Sequence, residues 1–312
     1  RKSVEPFQWS VQLLLGLALA VAAVPPVPIN NDYHTTIGIP EAARIKAAEE
    51  AQDFDGARIV GGVHSSLGAF PYLGGLVISL TNGLTSVCGS SLVSNTRLVT
   101  AAHCWRTRSN QARQFVVVLG SVQLFFGGTR ITTTNVDVHA NYNMDNLNND
   151  VAMITISWVN FSNNINRINY ATGTNNFAGT WATAAGFGAT GDSKFHVNLQ
   201  VITNAVCAAT FGTNTIIAST LCVSGAGGQS TCGGDSGGPL VANNQLVRYL
   251  SVSCQFDEFS QIINAILDHL ILIFRSVSHL SAPAWVVLVA SPPVSPELPP
   301  SLPGSRPAFK LL

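Results

Sequence analysis

At residues 232–240 the chain reads CGGDSGGPL, in which one serine stands between two glycine pairs. Glycine allows tight backbone turns, so the glycines around Ser236 predict N–H groups that converge on one point and can stabilise an oxyanion. A serine hydroxyl is a weak nucleophile at neutral pH and requires an adjacent base, usually histidine, that a buried carboxylate orients. The stretch therefore predicts a histidine and an acidic partner elsewhere in the chain.

Two further stretches contain these residue types. His103 lies in TAAHC at residues 100–104, and Asp150 lies in NDVAM at residues 149–153. Either residue alone would more often be structural than catalytic. The joint occurrence of all three stretches favours a catalytic site that is built from His103, Asp150 and Ser236.

The region from residue 59 to about residue 247 has the pattern of an all-β protein. Short runs of strand-forming residues, such as FVVVL at residues 115–119, alternate with Gly, Asn, Ser and Thr. Many short strands with frequent turn residues predict a barrel or a sandwich.

Together these stretches resemble those of the chymotrypsin-like serine endopeptidases, and the resemblance includes IVGG at residues 59–62 and GFG at residues 186–188. It covers residues 59–247. The high asparagine content and low lysine content of this region resemble those of insect midgut chymotrypsins. The resemblance implies an all-β fold of two six-stranded antiparallel Greek-key β-barrels, divided near residues 165–180. The active site would lie in the cleft between the barrels.

The resemblance also implies a role for each residue of the site. His103 would be the general base and acid, Asp150 its orienting carboxylate and Ser236 the nucleophile, while the N–H groups of Gly234 and Ser236 would form the oxyanion hole. Protein or peptide substrates would be hydrolysed through an acyl-enzyme, without a cofactor. Ser230 would lie at the base of the specificity pocket, and because it carries no charge we expect a preference for large apolar or aromatic side chains.

The beginning of the chain has the pattern of a secretory signal. Arg1 and Lys2 precede a short apolar run that small residues close, which predicts a signal peptide over residues 1–23. Residues 24–58 are then expected to be a polar, mobile activation propeptide. The resemblance to midgut enzymes places the secreted protein in the gut lumen as a digestive enzyme, with proteinaceous inhibitors as further partners.

Activation is implied by the residues at the end of the propeptide. A trypsin-like protease would cut after Arg58, and the freed Ile59 amine would pair with Asp235, next to the nucleophile. This ion pair would order the oxyanion hole. A buried carboxylate without any partner would be costly, so the uncut chain must hold Asp235 in another way.

The six cysteines can be paired in many ways, and the sequence alone does not choose between them. The family resemblance implies the disulfides Cys88–Cys104, Cys207–Cys222 and Cys232–Cys254. The sequence contains no C-x-x-C pair, and His103 already has a catalytic role, so no metal site is expected.

The overall charge excludes two classes of partner. The chain has 16 basic and 16 acidic residues and a formal net charge of zero. A neutral chain lacks the electrostatic attraction that nucleic acid or an anionic membrane would require, so neither is expected as a partner. With 46% apolar residues, the chain can form a sizeable core.

After residue 247 the sequence departs from the family. The family continues with a strand that ends in Ser-Trp-Gly or Ser-Phe-Gly, whereas residues 248–254 read RYLSVSC. The divergent tail at residues 248–312 is proline-rich from residue 281, and proline suits barrel strands poorly. We therefore expect no replacement strand from the proline-rich end, which would leave the second barrel incomplete.

Two explanations of this break remain open: a frameshift or retained intron, and a genuine divergent tail. Loss of the substrate-binding strand would make the protein a catalytically impaired binding or regulatory homologue, which is the alternative to an active endopeptidase. In a third hypothesis, the proline-rich end is a peptide ligand for a polyproline-binding domain, but a secreted location offers few such partners.

Overall fold

A computed structural model describes residues 29–51, 63–188, 195–224, 231 and 233–250, together with the backbone of residues 286–290. Two curled sheets, antiparallel except for one short parallel pair, contain most of the regular secondary structure of these residues. This arrangement confirms the all-β, two-barrel fold class. No helix in the described ranges is long and apolar enough to cross a membrane.

The first sheet has seven strands in the spatial order β6-β5-β2-β3-β4-β8-β7. Side chains of its strands that point inward, among them Leu76, Ile78, Phe115 and Val117, are fully buried in one core. The strands are β2 (Leu73–Leu80), β3 (Thr85–Ser94), β4 (Arg97–Thr100), β5 (Ala112–Leu119), β6 (Thr129–Thr133), β7 (Val136–Val138) and β8 (Ala152–Thr155).

The second sheet has eight strands, and its core is formed by small and branched side chains such as Ala184, Val197, Val223 and Leu240. Strands β10 to β15 form a closed ring, because β12 pairs with both β15 and β11. The strands are β1 (Val63–His64), β9 (Asn169–Tyr170), β10 (Trp181–Gly186), β11 (Phe195–Ile202), β12 (Thr220–Ser224), β13 (Pro239–Ala242), β14 (Gln245–Leu250) and β15 (Val286–Ala290).

The tail therefore contributes to the second barrel, and the expectation that its proline-rich end supplies no strand is wrong. Strand β15 lies between β12 and β14 and is antiparallel to both. The reason is local composition: residues 286–290 read VVLVA, a run of strand-forming residues that contains no proline.

Two helices complete the described structure. Helix α1 (Ile39–Ala51) follows a π-helical turn (His34–Gly38) and is rich in alanine and glutamate, which are strong helix formers. Helix α2 (Asn204–Phe211) begins after Thr203, whose side chain accepts a hydrogen bond from the backbone N–H of Val206, as N-cap residues commonly do. Helix α1 lies upstream of the barrels in sequence but packs against β3, beside the cleft between the two sheets.

Candidate active site

His103 lies in a short 3₁₀ turn (Ala102–Cys104) that directly follows β4. A disulfide between Cys88 of β3 and Cys104 ties this turn to the first sheet. The side chain of His103 is only 1% exposed. The imidazole is therefore held within the protein rather than on a mobile surface loop.

Asp150 binds His103 at two points, although the two residues are 47 positions apart in the sequence. Its carboxylate accepts the backbone N–H of His103 at 2.7 Å and the Nδ1 of the same residue at 2.7 Å. A carboxylate only accepts hydrogen bonds, so the proton of the neutral ring lies on Nδ1. Nε2 is then free to take a proton, as a general base must.

The loop before β8 aims Asp150 at the histidine. Leu147 and Asn149 have positive φ angles of 55° and 56°, a conformation that asparagine adopts more readily than most residues. The side-chain amide of Asn149 donates to the carbonyl oxygen of Asn141 at 3.0 Å and so closes the loop. This local geometry places the carboxylate in the protein interior, where Asp150 is fully buried.

Two tyrosines near Asp150 were not selected by the sequence analysis. Burial raises the pKa of Tyr142 and of Tyr249 above the ordinary range, and the charge of Asp150 raises both further, so both hydroxyls stay neutral. Tyr142 lies in an asparagine-rich loop without a motif. Tyr249 belongs to β14 and lies in none of the three motif stretches, so no sequence signal marked either residue.

Ser236 lies in the turn that leads into β13. Its carbonyl oxygen accepts the backbone N–H of Gly89 at 2.7 Å, which fastens the turn to β3. Gly237 has a φ angle of +82°, and a Cβ added there would lie 2.2 Å from Oγ1 of Thr100. Only glycine fits at this position, and the close approach brings the serine next to the turn that carries His103.

The serine and the histidine do not bond to each other in this state of the protein. Oγ of Ser236 and Nε2 of His103 are both buried, and neither has a hydrogen-bond partner of normal geometry among the described residues. The other expected parts of the site, namely the His103–Asp150 pair and the turn that carries Ser236, lie close together. Oγ of Ser236 and Nε2 of His103 are therefore both buried at the site without a hydrogen bond between them.

Asp235 is buried next to Ser236 and contacts the GFG stretch. Its Oδ1 accepts the backbone N–H of Gly188 at 2.8 Å. A Cβ added at Gly186 or Gly188 would lie 2.0 Å or 2.6 Å from the same oxygen, so both positions need glycine to leave room for the carboxylate. The contact with Asp235 therefore explains why glycine occupies both positions of the GFG stretch.

Residues 29–51 are ordered against the site, contrary to the expected mobile propeptide. The ring centroid of Tyr33 lies 4.6 Å from that of His103, and its hydroxyl donates to the carbonyl oxygen of Val87 at 2.9 Å. The expectation rested on polar composition. It failed because a few apolar side chains, such as Ile45, find buried positions on the barrels.

Two of the three expected disulfides fall within the described residues, Cys88–Cys104 and Cys207–Cys222, and both are present. The residues Arg58, Ile59, Ser230, Cys232 and Cys254 lie outside the described residues.

One group of side chains in the described ranges is close enough to hold a metal ion, and it consists of Cys88, His103 and Cys104. Both cysteine sulfurs are in the disulfide, so only one imidazole could act as a ligand. The group is therefore part of the His103 site and has no donor set for a metal.

Comparison with known proteins agrees with this geometry. The sequence pattern of the Trypsin family matches residues 59–262. Collagenase from Hypoderma lineatum is 36% identical over 195 residues, which cover 60% of this chain and 73% of that protein. Trypsin beta from Drosophila erecta is 31% identical over 222 residues, which cover 68% of this chain and 85% of that protein.

A solved structure of HL collagenase is similar in fold as well as in sequence. It superposes with a TM-score of 0.58 and 35% identity, covering 62% of this chain and 86% of that structure. The family pattern spans more than half of the chain, and the buried His103–Asp150 pair lies beside a serine in a glycine-rich turn. The chain therefore belongs to the trypsin family of serine proteases.

Proposed function

We propose that this protein is a secreted serine endopeptidase that is made as an inactive precursor. The observation that carries this proposal is the double hydrogen bond from His103 to Asp150, which leaves Nε2 available beside Ser236. Related proteins named collagenase, serine protease and trypsin support the same class of activity. Proteins or peptides are therefore the substrates.

The proposed chemistry uses side chains of this chain alone. Oγ of Ser236 attacks the scissile carbonyl carbon while Nε2 of His103 takes its proton, and the Asp150 carboxylate stabilises the resulting imidazolium. The N–H groups of Gly234 and Ser236 stabilise the oxyanion of the tetrahedral intermediate. His103 then protonates the leaving amine, and a water molecule hydrolyses the acyl-enzyme in a second round of the same proton transfers.

The proposed activation step is cleavage between Arg58 and Ile59 by a trypsin-like protease. The new amine of Ile59 would pair with Asp235, which lies next to Ser236. The carboxylate of Asp235 is already buried near Gly188. Pairing a buried carboxylate with a cation favours its charged form and would order the turn that carries the oxyanion hole.

The proposed specificity follows from Ser230. An uncharged residue at the base of the pocket gives a substrate Lys or Arg no anion to pair with. We therefore expect cleavage after Phe, Tyr, Trp or Leu. This specificity is compatible with a digestive enzyme of the gut lumen, where proteinaceous inhibitors would be further partners.

Hydrolysis of matched peptide substrates tests the function and the specificity together. Chain that has been processed after Arg58 should cleave after Phe or Leu and not after Arg, and the Ser236→Ala variant should lose this activity. Cleavage confined to Arg and Lys would contradict the specificity. If processed chain cleaves neither substrate, the alternative is supported, namely a binding or regulatory homologue in which the divergent tail has impaired catalysis.

A further inference from the structure

We propose that residues 29–51, called here the pro-segment, are an intramolecular inhibitor that occupies the active-site cleft and must leave after the chain is cut. The inference rests on the proposed function, because an inhibitor requires an activity to inhibit. It goes beyond the expected activation step, in which the Ile59 amine orders the oxyanion hole. Here the substrate is excluded directly, by side chains that fill the place it would take.

Tyr33 fills the reacting centre. Its ring packs on that of His103, with centroids 4.6 Å apart, and it is 4% exposed. Burial raises the pKa of its hydroxyl, which donates to the carbonyl oxygen of Val87 in β3 at 2.9 Å. A substrate carbonyl must come within about 3–3.5 Å of the serine oxygen to react. The Tyr33 side chain takes that space.

Helix α1 covers the turn that is expected to form the oxyanion hole. A Cβ added at Gly233 would lie 2.9 Å from Cγ2 of Ile37 and 3.1 Å from Cγ of Glu41. One added at Gly234 would lie 3.9 Å from Cδ1 of Ile45. The pro-segment therefore lies in direct contact with the backbone whose N–H groups a bound substrate would need.

An apolar patch formed by both barrels holds the helix. Ile45 is 1% exposed, and it packs with Ala42 against buried side chains of both sheets. Burial of apolar surface is the main favourable term in association. The side chains that form the patch are Leu73, Val87, Val118, Leu124, Ala185 and Phe187.

Polar contacts fix both ends of the pro-segment. Near its C-terminal end, the buried carboxylate of Glu49 accepts the backbone N–H groups of Leu124 at 2.5 Å and Phe125 at 2.8 Å. Near its N-terminal end, Nδ1 of His34 lies 2.8 Å from Oγ of Ser86. Contacts at both ends and the middle give the pro-segment one defined position in the cleft.

The backbone of the pro-segment makes it an inhibitor rather than a substrate. Tyr33 has helical φ and ψ angles of −50° and −47°, and the next residues form the π-helical turn. The carbonyl oxygen of Asp32 accepts the N–H of Thr36, and that of His34 accepts the N–H of Ile39. Tyr33 thus enters the site by its side chain, while neighbouring carbonyl groups are engaged in helical hydrogen bonds.

Residues 1–58 contain no cysteine, so none of them can form a disulfide that tethers the pro-segment once the chain is cut after Arg58. Its departure is then an ordinary dissociation, which dilution favours. The inference therefore predicts that processed protein is inhibited at high concentration and becomes active on dilution.

The test uses the full chain, processed after Arg58 with limiting trypsin and verified by mass spectrometry. Retention of the pro-segment is measured by size exclusion, and hydrolysis of a small peptide substrate is measured between about 10 µM and about 10 nM protein. We expect retention at high concentration and a rise in specific activity of about threefold or more on dilution, for a dissociation constant of about 1 µM or below. If the cut pro-segment binds so tightly that it stays in place on dilution, the rise in specific activity should appear in the Tyr33→Ala variant.

Glu49 and Glu50 provide a matched pair of variants. Glu49→Gln should weaken retention about tenfold, because each carboxylate oxygen accepts one backbone N–H group and the amide would place an NH2 donor against one of them. Glu50→Gln should behave like the unchanged protein, since the side chain of Glu50 is 55% exposed and pairs with Lys46 of the same helix.

Immediate loss of the pro-segment, or full activity while it is retained, would overturn the inference. Processed protein that stays inactive at every dilution, also in the Tyr33→Ala variant, would contradict the proposed function instead. In that case the retention measurements still test whether the pro-segment occupies the cleft. Weaker retention in Glu49→Gln together with unchanged retention in Glu50→Gln would support occupation of the cleft. Any other result for these two variants would overturn the inference.

Discussion

The Asp150 carboxylate fixes His103 through its backbone N–H and its Nδ1, each at 2.7 Å. An amide at this position keeps the shape but offers a donor to the imidazole, which favours the tautomer with the proton on Nε2. We expect Asp150→Asn to lower kcat by about 10⁴, the loss typical of this change in such a triad, with little change in KM. Steady-state kinetics of processed protein with a peptide substrate measure both constants.

The control for this prediction is Asp145→Asn. Asp145 lies in the same loop, but its side chain is 58% exposed and pairs with Arg108 on the surface. Exposed pairs of this kind contribute little, so kcat should stay within about twofold. A loss of less than about tenfold in Asp150→Asn would show that His103 does not act through this carboxylate.

Gly237 illustrates how one residue positions the turn that carries Ser236. An alanine at this position would have a positive φ of 82° and a Cβ 2.2 Å from Oγ1 of Thr100, which itself donates to the carbonyl oxygen of Gly89. We expect Gly237→Ala to lower the free energy of unfolding by about 3 kcal/mol, from the φ penalty and the clash together. Thermal and denaturant unfolding of the Ser236→Ala background measure this change without self-digestion.

Gly173→Ala separates the two causes. Gly173 has a φ of +87°, but no atom lies within 4 Å of an added Cβ, so only the conformational penalty of about 1 kcal/mol applies. Equal losses in the two variants would show that the contact with Thr100 does not constrain the turn.

At the scale of elements, the pro-segment contains the buried side chains of His34 and Glu49, whose pKa values are shifted in opposite directions. Burial, helped by nearby His103, lowers the pKa of His34 from 6.5 to about 3, whereas burial raises the pKa of Glu49. Docking favours neutral His34, so its contribution is complete above pH 6.5 and is lost as the pH falls towards 3. Docking also favours protonated Glu49, so that contribution is lost as the pH rises through the raised pKa.

The two groups therefore oppose each other on acidification, and variants separate them. In Glu49→Gln we expect the cut pro-segment to be released progressively between pH 6.5 and pH 4.5, while the double variant with His34→Gln should show a much flatter profile. Size-exclusion retention at each pH measures release without relying on activity. Release in Glu49→Gln that does not depend on pH would contradict the role of His34.

The sequence predicted the barrel strands better than it predicted the pro-segment. Strand β5, for example, is predicted by the run FVVVL at residues 115–119, because the tendency to form a strand can be recognised from the local sequence. Helix α1 also has strong helix formers, but its position depends on Ile45 and Glu49 meeting partners far away in sequence. Local composition contains no information about such contacts, so a mobile segment was expected.

At the scale of the whole molecule, the tail closes the second barrel through β15. Removing β15 would expose the edges of β12 and β14, and unpaired edges invite unfolding and aggregation. We expect a chain that ends at residue 285 to lose about 5 °C or more in thermal midpoint, whereas one that ends at residue 291 keeps β15 and the stability of the full chain. Equal midpoints for the two truncations would contradict the pairing of β15.

The arrangement of the site could be predicted only in part. The joint occurrence of the three stretches around His103, Asp150 and Ser236 predicted a common site, and the structure brings His103 and Asp150 into contact near the turn that carries Ser236. The sequence did not reveal that Oγ of Ser236 and Nε2 of His103 are left unconnected beneath Tyr33. That feature depends on the packing of the pro-segment between the barrels, which no single stretch encodes.

The central claim is that Ser236 becomes an exposed nucleophile only after the chain is cut and the pro-segment has left. Labelling with a peptidyl phosphonate, followed by mass spectrometry of the labelled peptide, tests it directly. The account predicts about one label per chain, on Ser236, in protein that has been processed after Arg58 and separated from residues 29–51, and little label in uncut Arg58→Gln protein. Processed and separated protein that begins at Ile59 and takes up no label would contradict the account.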